Sequence, residues 1–224
     1  VRALVAVEPR SLAEERIQAA VAFLFLSGMR VGAFVTLPLR AIHWDQEPVQ
    51  LNQYPALGVR TKGGKAANTY LLPQPELEDL RVIAGRWYKK TVTGMEGNGL
   101  YYASLTPERE FDPVQVAGDH RAGSVRKYLR ALCQRAGMEY LSPHHLRHGH
   151  TVWAMDRATT RAEMKAISQN LMHESLETTD RIYSRLVDDD VASHITNLGR
   201  GSMSQEDRLQ ELIEEFFQRK IGIS

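Results

Sequence analysis

The sequence predicts a mainly α-helical fold with a small antiparallel β-sheet, an α+β class. Apolar residues recur at three-to-four spacing from residue 11 to 35 and again from 77 onward, which is the helical period. Between 40 and 73 the spacing falls to two, the strand period. Ser, Thr and Gly punctuate the helical part where helices start and stop.

In order along the chain, residues 11–27 form the first predicted helix. Ser11 caps it, Glu14 is the capping-box partner, and Ile17, Ala20, Val21, Leu24 and Phe25 make its core face. Ser27-Gly28 breaks the pattern, and a short helix follows from Arg30 to Val35, ending before Pro38. The pairs Ile42/Trp44, Val49/Leu51, Leu57/Val59 and Tyr70/Leu72 alternate as strands do, with Thr61-Lys62-Gly63-Gly64-Lys65 as the turn between the last two. This gives a sheet of about three strands with two lysines at one hairpin tip. Leu77, Leu80, Ala84, Trp87 and Tyr88 mark a further helix, and 94–99 is a loop. Ser124 caps a helix bearing Val125, Tyr128, Leu129 and Leu132, with Gly137 at its end. Ser142-Pro143 opens another helix with Ser at the cap and Pro in the first turn. Thr160 to Glu163 is a second capping box ahead of Met164, Ile167 and Leu171. A short helix carries Ile182, Tyr183 and Leu186; 199–202 is a linker, and Leu209, Leu212, Ile213, Phe216 and Phe217 stripe a terminal helix.

Composition narrows the classes. Hydrophobic residues are 43% and charged residues 25% of 224, ordinary for a globular protein. The net charge of +1 does not by itself announce a nucleic-acid binder, although a basic face can sit inside a neutral total. Cys133 is the only cysteine, so disulfide frameworks and Cys-based metal sites are excluded, and a reducing cytoplasm is the expected location. No apolar run approaches a membrane span of about 18 residues, and no signal peptide is present. The first residue is Val1, and the chain reads as a piece of a longer protein.

On a helix starting at Pro143, His144, Arg147 and His148 share one face, while His145 and His150 point elsewhere. A helix N-terminus attracts anions, Arg offers a planar fork of donors, and His exchanges protons near neutral pH. The segment therefore fits a phosphate seat. Taken alone it also fits an ordinary surface helix, or a metal site using His144 and His148 without a completing carboxylate or Cys.

His144-His145-Leu146-Arg147-His148 resembles the H-x-L-R-H box of the tyrosine recombinases, the phage-integrase family. Three more stretches resemble that family's motifs in its order. Leu26 to Val31 resembles the first arginine box, Thr61 to Lys65 the lysine-bearing hairpin, and Leu171-Met172-His173 with Tyr183 ten residues on resembles the last box. Together they span residues 10–190. The resemblance implies the tyrosine-recombinase catalytic-domain fold over 1–198. Residues 199–224 then form a linker and an amphipathic helix, whose stripe by itself fits docking on its own domain and which the resemblance implies packs on a neighbouring protomer; the family's N-terminal DNA-clamping domain is missing from the sequence.

By the same resemblance, Tyr183 attacks the scissile phosphate and forms a 3′-phosphotyrosyl link. Arg30 and Arg147 grip the non-bridging oxygens, His144 takes the tyrosine proton, Lys62 protonates the leaving 5′ oxygen, and His173 bonds the phosphate, with His148 in support. The implied partners are double-stranded DNA and further copies of the chain in a tetrameric synapse. No cofactor, metal or ATP is implied, and no G-x-x-x-x-G-K-[ST] loop is present. A free tyrosine has a pKa near 10, so a base and cations must offset roughly 4 kcal/mol at neutral pH. Two departures stand out: Ala33 occupies a position often acidic in the family, and Lys65 competes with Lys62 as the acid. A topoisomerase of related chemistry and a DNA-binding regulator that has lost its chemistry are the alternative functions.

Overall fold

The computed structural model describes residues 1–95, 99–108, 110–114 and 121–172. The expected helices of 173–224, with their linker, His173 and Tyr183, lie outside the described residues. Seven helices and one sheet are present among the described residues: α1 Arg2–Val5, α2 Leu12–Ser27, α3 Val31–Phe34, β1 Ile42–His43, β2 Gln50–Gln53, β3 Ala67–Tyr70, α4 Glu78–Gly94, α5 Arg121–Arg135, α6 Pro143–Met155 and α7 Arg161–Asn170. The mainly helical architecture with one antiparallel sheet is as the periodicity predicts.

The axis of the fold is α2. The run Ala19-Ala20-Val21-Ala22-Phe23-Leu24-Phe25-Leu26 is apolar on every face, and such a helix must be surrounded rather than half-covered. Helices α1, α4, α5 and α6 all pack on it. The sequence pattern pointed to one core face; in fact every residue of that run is buried. The two buried polar residues of its first turns are bonded: Arg16 Nη1 donates to the Ala103 carbonyl at 2.6 Å, and Gln18 Nε2 to that of Leu4 at 3.3 Å. The Arg16 guanidinium also lies 4.4 Å from the centre of the Tyr102 ring. Tyr101 and Tyr102, outside every predicted element, are buried against Phe23 and Phe34.

Capping chemistry fixes where helices begin. Ser11 Oγ accepts from Glu14 N–H, but the Glu14 carboxylate bonds the Arg10 N–H at 2.6 Å, one residue upstream of a standard box. It also meets Arg135 at 2.6 Å, and the backbone bond first, with Arg135 behind it, holds this carboxyl below the usual range. The Thr160/Glu163 box closes in both directions, at 3.2 and 2.9 Å. Helix α5 begins by Arg121, so Ser124 lies inside it, near the Tyr102 hydroxyl at 3.3 Å, and does not cap it. Its end is as predicted: the Met138 N–H beyond Gly137 reaches back to the Cys133 carbonyl at 2.9 Å.

The sheet runs β1-β2-β3, antiparallel throughout, with Ile42 opposite Leu51 and Leu51 opposite Thr69. The expected strand at Leu57 and Val59 does not form. Pro55 has no N–H to continue a ladder, so residues 55–57 turn as a 3₁₀ helix closed by Gly58 at φ +90°. Val59 is buried there as a single apolar anchor. Lys62–Gly64 makes a second tight turn, with Gly63 and Gly64 both at positive φ. The lysines thus sit in a long loop between β2 and β3, not at a two-strand hairpin tip. Among the described residues no helix is long and apolar enough to cross a membrane.

Candidate functional site

The C-terminal end of α2 gathers the site. Gly28 leaves the helix at φ +59°, a conformation open to glycine at little cost. It is also crowded: a Cβ there would lie 2.6 Å from a Leu171 methyl and 2.7 Å from the His150 ring. The chain then runs through Met29, buried, to Arg30, whose carbonyl receives the first bond of α3 from Phe34 at 3.0 Å. Arg30 therefore stands at the mouth of the turn that α2 ends in.

Arg147 reaches this turn from α6. Its Nη1 donates to the Gly28 carbonyl and its Nη2 to the Leu171 carbonyl, the latter at 2.6 Å. The residue is only 7% exposed. Burial first, and the positive charge of Arg30 second, pull its pKa down to about 9. A buried guanidinium whose carbonyl partners carry no net charge, placed beside a second guanidinium, is poised to receive an anion. The structure thus brings Arg30 and Arg147 close enough for their charges to interact.

His150 points elsewhere than the face that His144, Arg147 and His148 share, as helical spacing predicts. It is buried, 1% exposed, with Nδ1 2.6 Å from the Phe25 carbonyl. A carbonyl only accepts, so Nδ1 carries the proton. Burial chiefly, with Arg147 adding to it against the bond to Phe25, lowers the His150 pKa to about 4. This imidazole is neutral at physiological pH and wedges α6 against α2.

His144 is exposed in the first turn of α6, about one helical turn before Arg147, and His148 is half-buried. His145 joins the cap: its N–H donates to Ser142 Oγ, and its Nδ1 accepts from the Ser142 N–H at 3.1 Å. Sequence reasoning missed this role because a capping box ordinarily uses Glu or Gln at that place. Among the described residues no group of three His, Cys, Asp or Glu is placed to hold a metal ion.

Lys62 and Lys65 are both exposed. Their loop is moored at its base, where the Arg60 N–H donates to Thr36 Oγ1 at 2.8 Å. Thr36 follows α3, so the lysine loop is tied to the helix that Arg30 begins. Its other end is β3. The chain leaving β3 is in turn tied to α2, by the Leu72 N–H to the Leu26 carbonyl at 3.0 Å. Asn170 and Leu171, just before His173, also belong to the site. Asn170 bonds Tyr70 of β3, and Leu171 supplies the Arg147 acceptor. Met172, at φ +52°, is the one described non-glycine residue at positive φ.

Solved structures of recombinases share the fold of this chain. XerA recombinase superposes with a TM-score of 0.57 at 21% identity, over 91% of this chain and 61% of that one. XerH recombinase in its pre-cleavage complex with difH substrate gives 0.54 at 16%, over 86% and 49%. Lambda integrase (75–356), a dimer bound to a COC′ core site, gives 0.53 at 16%, over 81% and 55%. At these identities the likeness is one of fold, and the chain spans about half to three-fifths of the structures it matches. A search of curated protein sequences returns no match. The sequence profile of the phage integrase family matches residues 1–189, and the chain belongs to that family.

Proposed function

We propose that this chain is the strand-transferring part of a site-specific DNA recombinase that cuts and rejoins double-stranded DNA through a 3′-phosphotyrosyl intermediate. The observation that carries the reading is the buried Arg147 fork, clamped by the Gly28 and Leu171 carbonyls beside Arg30. Family membership supports the same reading. Tyr183 supplies the attacking oxygen and gives its proton toward His144. The P–O5′ bond breaks, and Lys62 protonates the departing 5′ oxygen. Arg30, Arg147 and His173 hold the non-bridging oxygens as charge builds on the five-coordinate phosphorus. The phosphotyrosyl bond keeps the phosphodiester's energy, so religation needs no nucleotide. The working assembly is a tetramer on two duplexes, with residues 203–224 of each copy packed on a neighbour.

A duplex nicked just beyond the scissile phosphate tests this, because loss of the short 5′ product traps the covalent adduct. Wild type is expected to yield a protein–DNA adduct and Tyr183→Phe none. An adduct that survives in Tyr183→Phe would refute the nucleophile. Absence of an adduct with wild type would leave a DNA-binding role only.

A further inference from the structure

One side chain pairs with the outer edge of the sheet at Tyr70. Among the described residues β3 pairs with β2 on one side only. Just beyond it, the Leu71 N–H donates to the Val49 carbonyl at 3.0 Å. Backbone groups alternate along a strand, so those of Tyr70 face the opposite way, toward the open edge. Such an edge ordinarily bonds water or another strand. Here Asn170, the last residue of α7, takes both groups: Oδ1 accepts from the Tyr70 N–H at 2.6 Å, and Nδ2 donates to the Tyr70 carbonyl at 3.0 Å. The carboxamide behaves as a one-residue fourth strand.

The next residue faces the arginines. The Leu171 carbonyl accepts from Arg147 Nη2 at 2.6 Å, and its side chain abuts Gly28. Two consecutive residues thus touch the strand that follows the lysine loop and the clamp of the buried guanidinium. β3 starts at Ala67, two residues after Lys65, so little chain separates the fixed strand from the cation.

We propose that Asn170 is a positioning residue for the leaving-group acid: by pairing with Tyr70 it holds β3 and the Lys62–Lys65 loop in register with Arg147. The inference rests on the strand-transfer reading above. Asn170 itself meets neither phosphate nor reacting atoms.

The chemistry offers a selective test. In cleavage the Tyr183 oxygen bonds to phosphorus, the P–O5′ bond breaks with its electron pair left on O5′, and a lysine ammonium gives that oxygen a proton. A thiol has a pKa of about 8.5 where water has about 15.7, so sulfur in the 5′ bridging position leaves without an acid. The work of the two arginines is unchanged by that exchange.

The experiment measures single-turnover adduct formation by the full chain on two nicked duplexes, one with a 5′ bridging oxygen and one with sulfur. Asn170→Ala is expected to slow the oxygen duplex by roughly ten- to a hundredfold and to match wild type on the sulfur duplex. Asn170→Asp keeps the size and the acceptor for the Tyr70 N–H but turns the donor into an acceptor facing the Tyr70 carbonyl; it should also slow the oxygen duplex with the same recovery on sulfur, and it serves if the alanine variant does not fold. Equal slowing on both duplexes, or no slowing on either, overturns the positioning role. Wild type giving no adduct on either duplex overturns the strand-transfer reading itself, so the two failures are told apart.

Discussion

The two kinds of cation proposed for strand transfer are held in opposite ways. Arg147 is buried, with two donors spent on backbone carbonyls before any ligand arrives. Lys62 stands exposed on a turn built from two glycines at positive φ, in a loop moored at Arg60 and at β3. The difference follows from the task proposed for each. A group that stabilises developing charge works best when it does not reorganise, and burial removes that freedom. A group that delivers a proton must approach the leaving oxygen, and a loop fixed at its ends and free at its tip permits that. Stability and catalysis should therefore be coupled at Arg147 and separable at Lys62.

Four substitutions or conditions break or sharpen this contrast. The largest effect is expected at Arg147→Ala. Adduct formation should fall at least about a thousandfold, and the Gly28 and Leu171 carbonyls left without donors should destabilise the fold by roughly 1–3 kcal/mol. Denaturant unfolding beside single-turnover cleavage measures both, and a variant of wild-type stability would refute the clamp. Next is acid. The His150 pKa is depressed to about 4, so between pH 6.5 and 4 the unfolded chain binds the proton that the folded chain refuses. The stability it contributes is complete above about pH 6.5 and lost as pH falls, by roughly 3 kcal/mol at pH 4. His150→Gln can still donate to Phe25 but does not titrate, so its unfolding free energy should lack that slope; an unchanged slope assigns it elsewhere.

Lys62→Ala comes third. It should slow cleavage by about a hundredfold while shifting stability by less than about 0.5 kcal/mol. If Lys65→Ala shows that loss and Lys62→Ala does not, the acid is Lys65. The smallest effect belongs to Met172, held left-handed at φ +52°. Met172→Gly should gain about 1 kcal/mol by releasing backbone strain. A loss of stability on thermal melting would mean that the Met172 side chain matters more than its backbone.

Local sequence rules made the helices and their starts legible: Ser142 with Pro143 and Thr160 with Glu163 act within one turn, and both behave as read. The arginine pair was legible only through the motif resemblance, since Arg30 and Arg147 lie far apart in the chain. Two parts stayed hidden. The Leu57/Val59 alternation imitates a strand, but Pro55 and Gly58 turn the backbone before any ladder can form. His150 and Asn170 act on backbone groups 125 and 100 residues away, and nothing in their neighbourhood marks a partner at that range. Buried or edge-bound polar side chains that serve remote carbonyls leave no periodic trace.

The end of α2 has a consequence for how the chain is made. The Gly28 carbonyl waits for Arg147, 119 residues later, and the Phe25 carbonyl for His150, 125 residues later. At ribosomal speeds that interval is roughly 6–25 s. During it the apolar run of α2 has been synthesised but lacks α6, one of its walls. Nascent chains stalled short of residue 143 should therefore be recovered as aggregates or with hydrophobic-binding chaperones, and chains that have passed residue 172 should be soluble. Equal solubility of the two would show that α4 and α5 already cover the helix well enough.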